Sequence, residues 1–132
     1  MHVCLFDIDG TLIHTGGAGL AALRATMLTV FNEEAAATEV VTTGRTDRAI
    51  VEDLFRLHGV PPSDENWQVY LAAYLEQLPL SLAECRGQVL AGIAELLEHL
   101  AARDDVALGL LTGNSHPAAQ HKLGHYGLRD YF

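Results

Sequence analysis

The chain has 132 residues, 49% of them hydrophobic, and a formal net charge of −9 at pH 7. This length and composition predict one modest globular domain with an adequate core, while the acidic balance disfavours nucleic acid and anionic membranes as partners. Since no run approaches the roughly 18 to 20 apolar residues that span a bilayer and the N-terminus lacks a signal-peptide pattern, we expect a cytoplasmic protein.

The first predicted element is a short apolar segment, residues 1–6, followed directly by Asp7, Asp9, Gly10 and Thr11. Its length and composition are typical of a buried parallel strand. Gly10 indicates a turn that brings the carboxylates of Asp7 and Asp9 together. Such carboxylates repel one another unless one is protonated or a cation lies between them, and Mg²⁺ is the hard cation that suits them. The pattern predicts a nucleophile and an acid at the end of the strand.

The stretch Asp7-Ile8-Asp9-Gly10-Thr11 resembles the D-x-D-G-T signature of the haloacid dehalogenase superfamily, most of whose members are phosphatases or phosphomutases. The resemblance implies an α/β fold: a Rossmann-like core with a parallel sheet, and an inserted all-α helical cap. It also implies that Asp7 attacks phosphorus to form an aspartyl-phosphate, and that Asp9 acts as general acid and then as general base. We assign Gly10 and Thr11 to phosphate binding. A calcium loop, the alternative, needs further oxygen ligands at regular spacing, and apolar residues follow instead.

Three helices and no strand are predicted for the following part of the chain, because apolar residues recur there at helical spacing. Hydroxyl residues cap two of the predicted helices, and a proline ends the last. The predicted helices run from Ala18 to Phe31, from the cap residue Thr46 to His58 with Gly59 as a stop, and from the cap residue Ser63 to Pro79.

The resemblance places these helices in a cap inserted between two parts of the core. We expect the core to comprise residues 1–14 and 86–132, and the cap residues 15–85. Closure of such a cap would expel water from the cleft beneath it. Arg45, in a Gly-Arg-Thr-Asp stretch of the cap, either reaches a substrate anion, as in phosphoglycolate-phosphatase-like relatives, or is an ordinary surface arginine.

The chain then returns to the core. Residues 91–102 predict an amphipathic helix, and residues 106–111 a buried parallel strand that ends at Thr112-Gly113-Asn114. This end resembles the second motif of the family, whose hydroxyl holds the phosphate. Thr112 would donate to the phosphoryl oxygens together with backbone N–H groups around Gly113 and Asn114. Because parallel strands end at one edge of a sheet, we expect both motifs to line one cleft.

The last predicted helix begins at Ser115 or His116 and runs to Tyr126, with Gly127 as its stop. It carries Lys122, the single lysine of the chain. The resemblance implies a catalytic lysine that neutralises the nucleophile and the phosphoryl charge. The alternative is a solvated surface lysine, which is the ordinary state of this side chain.

These patterns predict a Mg²⁺-dependent phosphatase for a small phosphorylated metabolite, with the metal held by Asp7 and Asp9. A phosphomutase would share both aspartates but return the phosphate to a second hydroxyl group. A catalytically silent binding or assembly module is a further alternative, because phosphatases of the family carry a later acidic motif that we do not find here. We therefore expect an incomplete sheet in a chain truncated at its C-terminus, whose exposed strand edges leave open a homodimer.

Overall fold

The structure, a computed structural model, describes residues 1–36 and 38–132. Two strands begin the chain, three helices follow one another in the middle, and strands and helices alternate in the last part. The elements are β1 (His2–Phe6), β2 (Ile13–His14), α1 (Ala18–Phe31), α2 (Asp47–Leu57), α3 (Asp64–Glu84), β3 (Gln88–Val89), α4 (Ile93–Ala101), β4 (Val106–Leu110) and α5 (His116–His125), with a 3₁₀ turn at Arg129–Tyr131.

A parallel pair of strands forms the centre of the core. Strands β1 and β4 pair from His2 opposite Val106 to Phe6 opposite Leu110. One face of the pair packs against α4 and α5, where the side chains of Leu97 and Leu123 are fully buried. The predicted α/β fold with a parallel sheet is thereby confirmed. The predicted burial of the two strands is wrong, because every residue of β1 and β4 is at least partly exposed.

Helices α1, α2 and α3 form the cap and enclose a second apolar cluster, which is rich in aromatic rings. The rings of Phe31 and Phe55 meet edge to face at 5.0 Å, and those of Trp67 and Tyr70 stack at 5.8 Å. Contacts of this kind add to the stabilisation that apolar burial provides. None of the helices in the described residues has the length and apolarity needed to cross a bilayer.

The predicted starts of two cap helices are confirmed. The hydroxyl of Thr46 accepts a hydrogen bond from Ala49 N at 3.2 Å, and that of Ser63 accepts one from Asn66 N at 3.1 Å. Each bond satisfies a backbone donor that a helix start would otherwise leave without a partner.

The predicted end of the third helix at Pro79 is wrong. Helix α3 continues through Pro79 to Glu84. Proline removes one backbone donor and crowds the preceding turn, but Leu78 and Leu82 on either side are almost fully buried in the cap cluster. Tertiary packing of this last part of the helix therefore overrides the local preference of proline.

A second sheet of two very short strands was not predicted. Strands β2 and β3 are antiparallel, with Ile13 opposite Val89 and His14 opposite Gln88. They join the two places where the chain passes between core and cap. Gly87 permits this contact, because a Cβ at that position would collide with the backbone of His14. The proposed boundaries of core and cap stay a prediction.

Candidate active site

The first candidate motif lies in a tight turn after β1. Ile8 is fully buried, and its carbonyl oxygen accepts a hydrogen bond from Thr11 N at 3.2 Å. Gly10 has a φ of +79°, which glycine adopts without strain. The turn leaves Asp7 and Asp9 on the wall of one cleft, whereas Gly10 and Thr11 form the turn itself and lie outside that wall. A role for Gly10 and Thr11 in phosphate binding stays a prediction.

The second motif follows β4 and lies beside the first. Leu111 N donates to Phe6 O at 2.8 Å, so the pairing of the two strands extends to the point where both motifs begin. The hydroxyl oxygen of Thr112 accepts hydrogen bonds from Asn114 N at 3.2 Å and Asn114 Nδ2 at 2.8 Å. Among the described residues the hydroxyl hydrogen has no acceptor, so it can donate to a ligand. Thr112 and Asp7 line the same cleft.

The side chain of Lys122 is buried rather than solvated, with only 5% of the residue exposed. Its Nζ donates to Asp9 Oδ1 at 3.0 Å, to Asp9 Oδ2 at 2.9 Å and to Asn114 Oδ1 at 2.6 Å. Asn114 Nδ2 donates in turn to Asp9 Oδ2 at 2.8 Å. A buried charge is tolerated when it is paired and hydrogen-bonded, as it is here. Helix α5 thus joins the two motifs through one lysine.

The cap contacts the core at the second motif through Asp47, which the sequence analysis did not single out. Asp47 N donates to Gly113 O at 2.8 Å, and Asp47 Oδ2 accepts from Ser115 N at 2.8 Å. A Cβ on Gly113 would collide with the carbonyl group of Arg45, so the two backbones lie in direct contact. Burial raises the pKa of Asp47 above its ordinary value, while the hydrogen bond from Ser115 and the charge of Lys122 oppose that rise.

Arg45 also lines the cleft, but its guanidinium group is engaged within the cap. It pairs with Asp53 and donates to the carbonyl oxygen of Ala49 at 3.3 Å. The hydrogen bond from Arg45 holds the pKa of Asp53 below its ordinary value. The charge of Arg45 is therefore compensated without a substrate anion.

The cleft between cap and core has a volume of about 840 Å³, which is large enough for a small organic molecule. Its charged wall carries three carboxylates and two cationic side chains. Apolar and aromatic residues, most of them in the cap, complete the lining of the cleft. The charged residues are Asp7, Asp9, Asp47, Arg45 and Lys122.

Two carboxylates of this wall are suitable ligands for a cation. Mg²⁺ is usually bound by one or two carboxylates together with water and substrate phosphate oxygens, so Asp7 and Asp9 fit it by donor type. Lys122 and Asn114 occupy part of the Asp9 carboxylate, which has about four lone-pair sites in all. Within residues 1–36 and 38–132, no group of three His, Cys, Asp or Glu side chains could hold a metal.

The chain was compared with known proteins. The model of the haloacid dehalogenase-like hydrolase family matches residues 1–132. The chain therefore belongs to this family, as the resemblance of its first motif predicts. No curated protein matches it.

Solved structures share the fold at low sequence identity. CbbY from Rhodobacter sphaeroides, in complex with phosphate, matches with a TM-score of 0.78 and 21% identity over 100% of this chain and 61% of that one. A protein described as a predicted phosphoglycolate phosphatase from Haemophilus somnus matches with a TM-score of 0.63 and 18% identity, over 99% of this chain and 59% of that one. A haloacid dehalogenase-like hydrolase from Streptococcus pneumoniae matches with a TM-score of 0.55 and 17% identity, over 100% of this chain and 59% of that one. The chain thus spans about three-fifths of the length of these proteins.

Proposed function

We propose that the protein is a Mg²⁺-dependent phosphatase that hydrolyses a small phosphorylated metabolite through an aspartyl-phosphate on Asp7. The proposal depends mainly on one observation: Lys122, buried and hydrogen-bonded to Asp9 and Asn114, joins the two motifs at one cleft. A buried ammonium group in a cleft is suited to an anionic ligand, because it balances charge where little water can do so.

Each residue of the cleft has a separate role in the proposed reaction. A carboxylate oxygen of Asp7 attacks phosphorus, and the bond from phosphorus to the leaving oxygen breaks while Asp9, which enters this step protonated, gives that oxygen its proton. Water then attacks the phosphorus of the intermediate and loses a proton to Asp9, which releases phosphate and restores Asp7. Thr112 donates its free hydroxyl hydrogen to a phosphoryl oxygen, and Lys122 offsets the negative charge.

Magnesium is part of the proposal, with Asp7 and Asp9 as its protein ligands. Bound Mg²⁺ would neutralise charge on the phosphoryl group and on the two carboxylates. The hydrogen bonds of Asp47 with Gly113 and Ser115 connect the cap to the core. Closure of the cap would exclude water from the cleft and so strengthen these electrostatic interactions. The cytoplasmic location and the homodimer stay predictions.

Replacement of the nucleophile tests the proposal. With p-nitrophenyl phosphate and Mg²⁺, we expect the chain to release phosphate, and Asp7→Asn to lower the rate at least about a thousandfold, because an amide cannot form the intermediate. Asp104→Asn is the matched control, since Asp104 is exposed and does not line the cleft. Normal turnover by Asp7→Asn would contradict the assignment. Transfer of phosphate to a second hydroxyl group of the substrate would instead identify a phosphomutase.

A second candidate is a binding module without catalysis. It is favoured by one observation, that within the described residues no group of three His, Cys, Asp or Glu side chains could hold a metal ion. Titration calorimetry of the chain with inorganic phosphate and Mg²⁺ separates the two functions. Binding without phosphate release would support the module, whereas binding with release would support the enzyme.

A further inference from the structure

Tyr126, at the C-terminal end of α5, contacts both apolar clusters of the protein. Its side chain packs against the aromatic cluster of the cap and also against the cluster of the core. It is the C-cap residue of the helix that carries Lys122, and its N–H group donates to Lys122 O at 3.3 Å. A movement of the cap relative to the core would therefore change the surroundings of this side chain.

The hydroxyl group of Tyr126 lies where the two linkers between core and cap meet. A Cβ on Gly87 would collide with both the Tyr126 hydroxyl oxygen and the carbonyl oxygen of His14. A Cβ on Gly16 would collide with the carbonyl group of Arg86. The linkers thus touch through their backbones at two glycines. We call these four linker residues the linker crossing.

This hydroxyl group is buried and has no hydrogen-bond partner in the part of the chain that the structure describes. The carbonyl oxygen of His14 is close to it, since both oxygens would meet the same Cβ on Gly87, but no hydrogen bond joins them. Burial raises the pKa of Tyr126 above its ordinary value, so the phenol keeps its proton. Buried hydroxyl groups of tyrosine usually have a partner, and one left without a partner costs free energy.

The cap is closed onto the core in this arrangement. Asp47 N donates to Gly113 O at 2.8 Å, and Asp47 Oδ2 accepts from Ser115 N at 2.8 Å. These two hydrogen bonds favour closure, whereas the unpartnered hydroxyl group at the linker crossing opposes it. Separation of the linkers would give the hydroxyl group an acceptor, either water or a backbone carbonyl oxygen.

We propose that Tyr126 favours opening of the cap, because its hydroxyl group lacks a partner at the linker crossing in the closed form and gains one when the linkers separate. An open cap admits a ligand to the cleft, and a closed cap shields the cleft from water. Tyr126 thus shifts the balance between these two states toward entry and release. This inference does not depend on which reaction the protein catalyses.

Tyr126→Phe tests the proposal, because it removes the hydroxyl group and keeps the ring that packs against both clusters. Amide hydrogen exchange reports opening at Ser115 N and Asp47 N, whose hydrogen bonds cross between cap and core. In the wild type, both should exchange faster than Leu12 N, which bonds to Ile8 O inside the core, because the cap opens without unfolding the core. In the variant, exchange at both should slow about fivefold, as loss of one unpartnered buried hydroxyl group would produce.

Tyr131→Phe is the matched control, since Tyr131 packs against the core cluster. It should leave exchange at Ser115 N and Asp47 N unchanged. Unchanged or faster exchange of these two amides in Tyr126→Phe would overturn the proposal. Equal exchange of Ser115 N and Leu12 N in the wild type would overturn it too, because the cap would then open only when the whole chain unfolds.

Discussion

In the cap, three helices surround one apolar cluster, and Leu54 and Leu78 there are at most 1% exposed. In the core, α4 and α5 cover one face of the parallel strands, whereas Val3 and Leu5 on the other face are 65% and 57% exposed. Parallel sheets are usually covered on both faces, but the exposure of Val3 and Leu5 shows that this face is largely open within the described residues. A leucine therefore contributes much more to stability in the cap than on the open face of the sheet. The candidate site lies between these two regions.

The largest expected effect comes from one substitution made in both regions. Leu54→Ala should lower the free energy of unfolding by about 2–5 kcal/mol, because it removes buried methyl groups and leaves a cavity. Leu5→Ala should cost less than about 1 kcal/mol, since most of that side chain already contacts water. Urea unfolding followed by far-UV circular dichroism measures both. Losses of similar size would show that the open face of the sheet is covered in solution.

An intermediate effect is expected where cap and core meet. Asp47→Ala removes the acceptor of the Ser115 N–H group and should lower the free energy of unfolding by about 1–2 kcal/mol. Asp47→Asn keeps an acceptor oxygen and removes a carboxylate whose pKa burial has raised. A carboxyl group with a raised pKa makes folding less favourable as the pH rises through it, so the asparagine variant should match or exceed the wild type at pH 7.

Hydrogen exchange at the Ser115 amide reports this contact directly. We expect faster exchange in Asp47→Ala and near-normal protection in Asp47→Asn. If the alanine variant protected this amide as well as the wild type does, cap closure would not depend on Asp47, and the junction would be held by the contact between Arg45 and Gly113 instead.

Most of the fold could be predicted because its signals are local. The apolar run before Asp7, the helix caps Thr46 and Ser63, and the strand before Thr112 each follow from a few neighbouring residues. The end of the third helix was wrongly predicted at Pro79 for the opposite reason. The burial of Leu78 and Leu82, which keeps the helix going, depends on helices that are distant in the sequence. Strands β2 and β3 have two residues each, too few to show a periodicity.

The site itself was only partly accessible from the sequence. The family signature indicated Asp7, Asp9, Thr112 and Lys122, and the structure adds which of them touch. The contacts of Lys122 with Asp9 join residues 113 positions apart, and no pattern of neighbours reveals them. Tyr70 and Tyr74 follow the helical spacing of the cap core, so the sequence indicated two core aromatics and gave no sign that they line the cleft.

The smallest expected effect lies wholly within the cap. His58, at the end of α2, contacts Glu33 Oε2 through Nδ1 at 3.0 Å and Glu39 Oε2 through Nε2 at 2.9 Å. The hydrogen bond to Glu39, and to a smaller extent the one to Glu33, raises the pKa of His58 above its ordinary value of 6.5. The stabilisation is therefore fully present below about pH 6.5 and is lost as the pH rises through the raised pKa.

We expect the melting temperature to fall by about 2 °C across that titration, because ion pairs near the surface contribute little. His58→Gln should remove this part of the pH dependence, as thermal unfolding at pH 6 and pH 8.5 would measure. If the melting temperature of His58→Gln fell as much between pH 6 and pH 8.5 as that of the wild type, another group would cause the pH dependence. The stability of the cap would then not depend on His58, and its apolar cluster would account for more of the contrast with the half-covered sheet.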